Sequence, residues 1–207
     1  AERAGAKFHF NSILSGIDRR SKALNFKNKD STRYNTLFAA DGAFSACRGS
    51  FINAPEFNYS QLFSTHGYKE LTIPPGKDGK HQIAVNTLHI WPRGTYMMIA
   101  LPNMDGSFTV TLFMPLRSSR NGDVAFDTLN SEKAVLSFFT TQYPDIVPLM
   151  PDLLQDYKDN PVGTMVTVRC FPYNIAPRTL LMGDAAHAIV PFFGQGMNCA
   201  FEDVTVV

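Results

Sequence analysis

The chain has 207 residues, enough for one large domain or two small ones. Hydrophobic residues make up 44% and charged residues 18%, with a net charge of +1, so a packed core is available and no basic surface for nucleic acid or an anionic membrane is indicated. Cys47, Cys170 and Cys199 are widely spaced and odd in number, which argues against a metal cluster or a disulfide framework, and no apolar run approaches the roughly 18 residues of a bilayer span.

In chain order, residues 1–5 read as the tail of a helix entering a strand. Residues 7–11 alternate weakly and 12–18 continue as a second extended piece. Residues 23–26 and 34–40 are further strands. The apolar run Leu37-Phe38-Ala39-Ala40 stops at Asp41-Gly42, the pattern of a buried strand ended by a turn. Residues 45–52 start a helix or helical turn. Residues 60–73 are extended, and 74–79 form an exposed Pro/Gly loop. Residues 82–91, 95–101 and 108–115 are apolar and aromatic, separated by Pro-Arg-Gly and Asn-Met-Asp-Gly turns, which predicts an antiparallel meander. Residues 131–143 form a helix with Ser131 as cap and apolar spacing at Ala134, Val135, Phe138 and Phe139. A second helical stretch, 145–157, is interrupted by Pro148 and Pro151. Residues 162–170 and 179–182 are strands.

These elements predict an α/β (α+β) chain in which an antiparallel-sheet domain with helices, residues 55–170, is flanked by segments of a nucleotide-binding α/β domain at 1–54 and 171–207. The chain lacks an initiator Met, and its last residues read as the interior of a helix. An internal fragment of a longer protein is therefore expected.

Three segments carry chemistry. In the first, an apolar strand breaks at Gly183-Asp184, and a Pro/Gly loop leads into a helix starting near Gly196. This layout sets a carboxylate at a strand end beside the unpaired N–H groups of a helix start, an arrangement suited to nucleotide-like cofactors. His187 reads as a packed, hydrogen-bonded residue. The Phe192-Phe193 pair suits an apolar wall against an aromatic ligand. In the second, Asp41-Gly42 is followed by Ser45 and Arg48, which taken alone is a strand–turn–helix with a Ser cap and a solvent-exposed Arg. In the third, Met97, Ile99 and Leu101 share one strand face and Met98 and Ala100 the other. With Phe113 and Phe192 the first set suits the wall of a slot for a flat ring, although such residues also build ordinary sheet cores.

Gly183-Asp184-Ala185-Ala186-His187, then Pro191, then Gly194-Gln195-Gly196-Met197-Asn198, then Glu202-Asp203, closely resembles the second flavin motif of FAD-dependent aromatic-ring hydroxylases. Asp41-Gly42-Ala43-Phe44-Ser45-Ala46-Cys47-Arg48 resembles the Asp-Gly motif of the same family, in the family's order. The resemblance narrows to members acting on L-kynurenine at His89-Ile90-Trp91-Pro92-Arg93, at Ala100-Leu101-Pro102-Asn103, along 108–115 and 191–198, and along 66–75.

The resemblance implies FAD and NADPH as cofactors, L-kynurenine and O2 as substrates, and hydroxylation of the ring at C3. It implies that Asp184 contacts the ribityl–phosphate region of FAD. Pro191, Gly194, Gln195, Gly196, Met197 and Asn198 would surround the flavin ring, with Asp41, Gly42 and Arg48 as further cofactor residues. It places Leu88, Met97, Leu101, Phe113, Pro191 and Phe192 in the substrate pocket. Oxygen chemistry belongs to the flavin in this family, so no catalytic side chain and no metal is expected. The Gly-x-Gly-x-x-Gly that grips the ADP half of FAD is absent here; in the family it lies upstream. Family members are cytoplasmic in bacteria, and in eukaryotes they are attached to the mitochondrial outer membrane through a segment that this chain does not contain. Another hydroxylase of the same fold, or a flavin-free ligand-binding sheet domain, stands as the alternative.

Overall fold

The computed structural model describes residues 1–120, 122–176 and 178–207. It divides into two compact units, Ala1–Phe63 with Val166–Val207, and Ser64–Met165. Two long strands, β5 (Asn58–Ile73) and β9 (Gly163–Phe171), pass from one unit into the other along the chain.

The discontinuous unit holds two small sheets. β1 (Leu14–Asp18), β2 (Ala23–Phe26) and β3 (Thr32–Arg33) form an antiparallel ribbon. The second sheet runs in the order β10 (Asn174–Ala176), β11 (Thr179–Leu181), β4 (Leu37–Ala39). β11 and β4 are parallel, with Thr179 opposite Leu37 and Leu181 opposite Ala39. This unit also carries α1 (Ala46–Gly49), α4 (Asp184–His187) and α5 (Gly196–Val206). Ala39, Cys47, Cys170, Leu181 and Ala186 form its core, with Leu14, Ile17, Leu37, Phe57 and Tyr59 against them.

The continuous unit is built on the antiparallel sheet. β6 (His89–Arg93), β7 (Tyr96–Pro102) and β8 (Phe108–Pro115) are a meander, and the order continues β8-β5-β9. One sheet face holds Leu71, Ile73, Met98, Ala100, Phe108, Val110, Leu112 and Met114. It is covered by α2 (Glu132–Gln142), through Val135, Phe138 and Phe139, and by Leu153 at the start of α3 (Leu153–Asp159). The predicted cap is present: Ser131 Oγ accepts from the Ala134 N–H at 3.3 Å. Burying so many large apolar side chains, at about 2 kcal/mol each, is what holds the helices on the sheet.

Several local expectations are corrected. Residues 7–11 form no strand, and β4 is shorter than the expected 34–40. The first meander strand starts at His89, not at 82. Residues 82–88 are a loop held by side chains that compete with a ladder: His89 Nε2 pairs with the Ala84 carbonyl at 2.7 Å, and Gln82 Nε2 donates to the Pro74 carbonyl at 2.7 Å. Among the described residues no helix is long and apolar enough to cross a membrane.

Candidate cofactor site

Parallel pairing of β4 and β11 decides where the two Asp-containing turns go. Parallel strands send their carboxyl ends to the same edge of a sheet, where α/β folds bind ligands. β4 therefore delivers Asp41-Gly42 and β11 delivers Gly183-Asp184 to one edge, and the Met182 N–H extends the pairing by donating to the Ala39 carbonyl at 2.9 Å. Residues 142 positions apart in sequence become neighbours through three residues of ladder.

The Gly183-Asp184 turn needs its glycine. Gly183 has φ 55° and ψ −142°, a combination closed to side chains with a Cβ. From there the chain enters α4, whose Ala185 and Ala186 are buried. The Asp184 carboxylate is exposed and has no hydrogen-bond partner among the described residues. It lies beside the start of α5: a Cβ on Gly196 would be 3.9 Å from Asp184 Oδ1.

The loop into α5 is a 3-10 turn, Pro191–Phe193, ended by Gly194 at φ 61°. Gln195 Nε2 donates to the Phe193 carbonyl at 2.9 Å, and its Oε1 accepts from Asn198 Nδ2 at 3.0 Å. These bonds shape the loop but leave the helix start uncapped by any side chain. Among the described residues no side chain caps the first N–H groups of α5, which carry the partial positive charge of a helix start. Phe193 and Met197 are exposed beside them, as are Pro191 and Phe192. An unpartnered carboxylate, an uncapped row of N–H donors and exposed aromatic surface fit a ligand with hydroxyls at one end and a flat, electron-accepting ring at the other.

The Asp41 turn is organised differently from its simplest reading. Asp41 accepts from Ser45 Oγ at 2.5 Å and from the Cys47 N–H at 3.0 Å, so both carboxylate oxygens are engaged at the start of α1. Ser45 Oγ accepts from the Arg48 N–H at 2.8 Å, as a cap does. Arg48 is not solvent-exposed. It is 3% accessible, makes no ion pair with Asp41, and donates to the Ala185 carbonyl at 2.7 Å and the Ala43 carbonyl at 2.5 Å. Its guanidinium lies 4.9 Å from the Tyr59 ring centroid. Arg48 thus ties the Asp-Gly turn to the Gly-Asp turn.

His187 is a hydrogen-bonded residue, as its surroundings in the sequence suggested, and its partner is Asp203. One oxygen, Asp203 Oδ2, accepts from His187 Nε2 at 2.8 Å and from the Gly183 N–H at 2.7 Å. Sequence reasoning noticed Glu202-Asp203 but assigned Asp203 no role. The signal was available in its spacing: Gly196, Ala200 and Asp203 lie on one face of a helix.

In the continuous unit, Met97, Ile99 and Leu101 share the sheet face opposite the helix-covered core, and Phe113 joins them opposite Met97. Phe113 is buried, with its ring centroid 6.4 Å from that of Tyr68, and Leu101 is half exposed. Leu88 lies in the 82–88 loop, not in a strand, and is 52% accessible.

The fold, an antiparallel sheet carried with a parallel pair, a Gly-Asp turn and a glycine-rich helix start, has counterparts among solved structures: 2-methyl-3-hydroxypyridine-5-carboxylic acid oxygenase matches with a TM-score of 0.72 at 20% identity, over 96% of this chain and 50% of that one. HpxO of Klebsiella pneumoniae, complexed with FAD and uric acid, matches with a TM-score of 0.64 at 18% identity, over 94% of this chain and 48% of that one. Residues 154–207 match the family model of the FAD binding domain, which supports FAD as cofactor. The particular resemblance is to kynurenine 3-monooxygenases. The curated enzyme of Flavobacterium psychrophilum is 46% identical over 100% of this chain and 46% of its own length. That of Dictyostelium discoideum is 49% identical over 96% of this chain and 42% of its length. The resemblance read from the residues is thus borne out, and the chain spans about half the length of the curated relatives it matches.

Proposed function

We propose that the protein carrying this chain hydroxylates the ring of L-kynurenine at C3, with FAD as resident cofactor, NADPH as reductant and O2 as co-substrate. The observation that carries the reading is the parallel β4–β11 pair, which brings both Asp-containing turns to one sheet edge next to an uncapped helix start. When bound, FAD supplies the redox and oxygen chemistry. The side chains of this chain bind and orient. Asp184 accepts hydrogen bonds from ribityl hydroxyls. The N–H groups from Gly196 to Asn198 favour negative charge on the ring system. Gly194 and Gln195 hold the loop in shape, and Pro191 and Phe192 give it an apolar wall that excludes water. On the sheet, Met97 and Leu101, backed by the buried Phe113, would give an aromatic substrate an apolar face, with Leu88 from the adjoining loop. Asp41, Gly42 and Arg48 serve the cofactor indirectly, by fixing the turn that carries Asp184.

The test is flavin content and NADPH oxidation by the full-length protein. Expected are a bound-flavin spectrum and NADPH consumption stimulated at least about tenfold by L-kynurenine over a simple phenol, with a product one oxygen heavier. A colourless protein would sink the flavin reading. Equal stimulation by phenol would sink the substrate.

A further inference from the structure

We infer that Asp203 is a positioning residue that locks the two flavin-facing segments into one rigid piece. The inference rests on the flavin reading above and adds a residue to which no binding role has been given. Three contacts on one face of α5 carry it. A Cβ on Gly196 would lie 3.9 Å from Asp184 Oδ1; a Cβ on Gly183 would lie 3.1 Å from Ala200 Cβ; and Asp203 accepts from the Gly183 N–H and from His187 Nε2. Positions 196, 200 and 203 follow helical spacing, so the Gly-Asp turn lies along a single stripe of the helix. The first contact sets the unpartnered carboxylate against the helix start. The second requires a glycine at 183 for close approach. The third is the only one with direction, because a hydrogen bond fixes orientation and van der Waals contact does not.

Geometry explains why an acid serves here. Gly183 has a backbone conformation open to glycine alone, so the peptide before Asp184 has no side chain of its own to hold it. One carboxylate oxygen takes both donors, at 2.7 Å and 2.8 Å, and ties the turn at its first and last residues. α5 begins at the proposed flavin loop. Asp203, two turns further on, therefore transmits the position of that helix to Asp184, and Asp184 and the N–H row keep a fixed separation. A ligand that bridges them binds a preorganised pair.

The experiment uses full-length protein and three variants. Asp203→Ala removes both bonds, Asp203→Asn keeps an acceptor at the same reach without the charge, and Asp203→Glu keeps the charge and moves the acceptor by one methylene. Read out are FAD dissociation by flavin fluorescence quenching, the fine structure of the bound-flavin absorption band, and the His187 ring 15N shifts in the apo-protein. Expected are FAD binding weakened at least about tenfold in Asp203→Ala, about threefold or more in Asp203→Glu, and less than about twofold in Asp203→Asn. The absorption band is expected to blur in the first two, and the His187 shifts to move in Asp203→Ala. A purely structural role would lower thermal stability and leave the spectrum of the remaining bound flavin unchanged. If Asp203→Ala does not fold, the Asn and Glu variants decide: retention by Glu with loss by Asn would overturn the proposal, as would wild-type affinity and spectrum in all three. Failure of wild-type protein to bind FAD would instead remove the functional reading beneath it.

Discussion

Arg48 is a cation inside the protein with carbonyls and a phenol ring around it and, among the described residues, no carboxylate paired with it. An isolated buried charge is costly, and it persists when several groups solvate it in fixed geometry. The planar guanidinium does this by donating in two directions at once, to Ala185 and Ala43. An ammonium has no such fork. Arg48→Met leaves the buried Ala185 carbonyl and the part-buried Ala43 carbonyl without these donors and is expected to cost about 3 kcal/mol. Arg48→Lys is expected to cost nearly as much. Urea unfolding of the full-length variants measures both; a lysine variant within about 1 kcal/mol of wild type would show that the fork is immaterial. The sequence displayed Arg48 in a recognisable pattern, yet that pattern alone suggested an exposed side chain. Its burial depends on Ala185, 137 residues away, which only the strand pairing brings near. Gly183 is the opposite case: a glycine between an apolar strand and an acid announces its turn locally.

At the scale of elements, β5 and β9 meet through two glycines. A Cβ on Gly163 would sit 2.4 Å from Tyr68 Cε1 and Cζ, and one on Gly67 would sit 2.6 Å from Leu116 Cδ2 and 2.7 Å from the Gly163 carbonyl. The Tyr68 ring therefore lies directly over Gly163, on the same sheet face as Phe113, its register partner. Gly163→Ala must push that ring aside, at a cost of about 1–3 kcal/mol, as overpacking usually brings. In a Tyr68→Ala background the same substitution should cost less than about 1 kcal/mol, because the obstacle is gone. Urea midpoints of the four proteins of this cycle test the contact; additive costs would show that the clash is relieved elsewhere. The sequence revealed the strands themselves, since the apolar runs of β7 and β8 are bounded by Pro-Arg-Gly and Asn-Met-Asp-Gly turns. It did not reveal where β6 begins. Residues 82–88 carry enough apolar side chains to suggest a strand, and what prevents one is a set of side chain–backbone bonds from His89 and Gln82. Such competition leaves no mark on periodicity.

On the whole-molecule scale, the fold class was legible because each local signal agreed with the same arrangement: short apolar strands ending in Asp-Gly and Gly-Asp at both ends of the chain, and a meander with a capped amphipathic helix between them. What composition could not show was how the interior holds its titratable groups, and these set the response to alkali. Burial, with the nearby Asp41 carboxylate, pushes the Cys47 thiol up to about 12. Burial also raises Cys170, raises Tyr143, and pushes Tyr157 up to about 12. Each of these is neutral when protonated, so the folded state holds its proton to higher pH than the unfolded chain does. Stability from such a group is complete below its unfolded pKa and is lost as pH rises from there towards the folded value. Loss should begin above about pH 8.5, where unfolded thiols ionise, and steepen above about pH 10, where unfolded phenols do. Lys69 opposes it: burial lowers its pKa, so between that lowered value and about 10.4 the unfolded chain binds the extra proton and stability rises with pH. Each thiol contributes a loss of up to about 1.4 kcal/mol per pH unit, and the two together outweigh the single amine. Above about pH 10.4 the amine no longer compensates, and the phenols add their own losses of up to the same size each. Urea midpoints from pH 7.5 to 11 under reducing conditions would trace this curve, and Cys47→Ala should shift its onset upward. Stability flat to pH 11 would mean that these groups are far more hydrated than their packing implies.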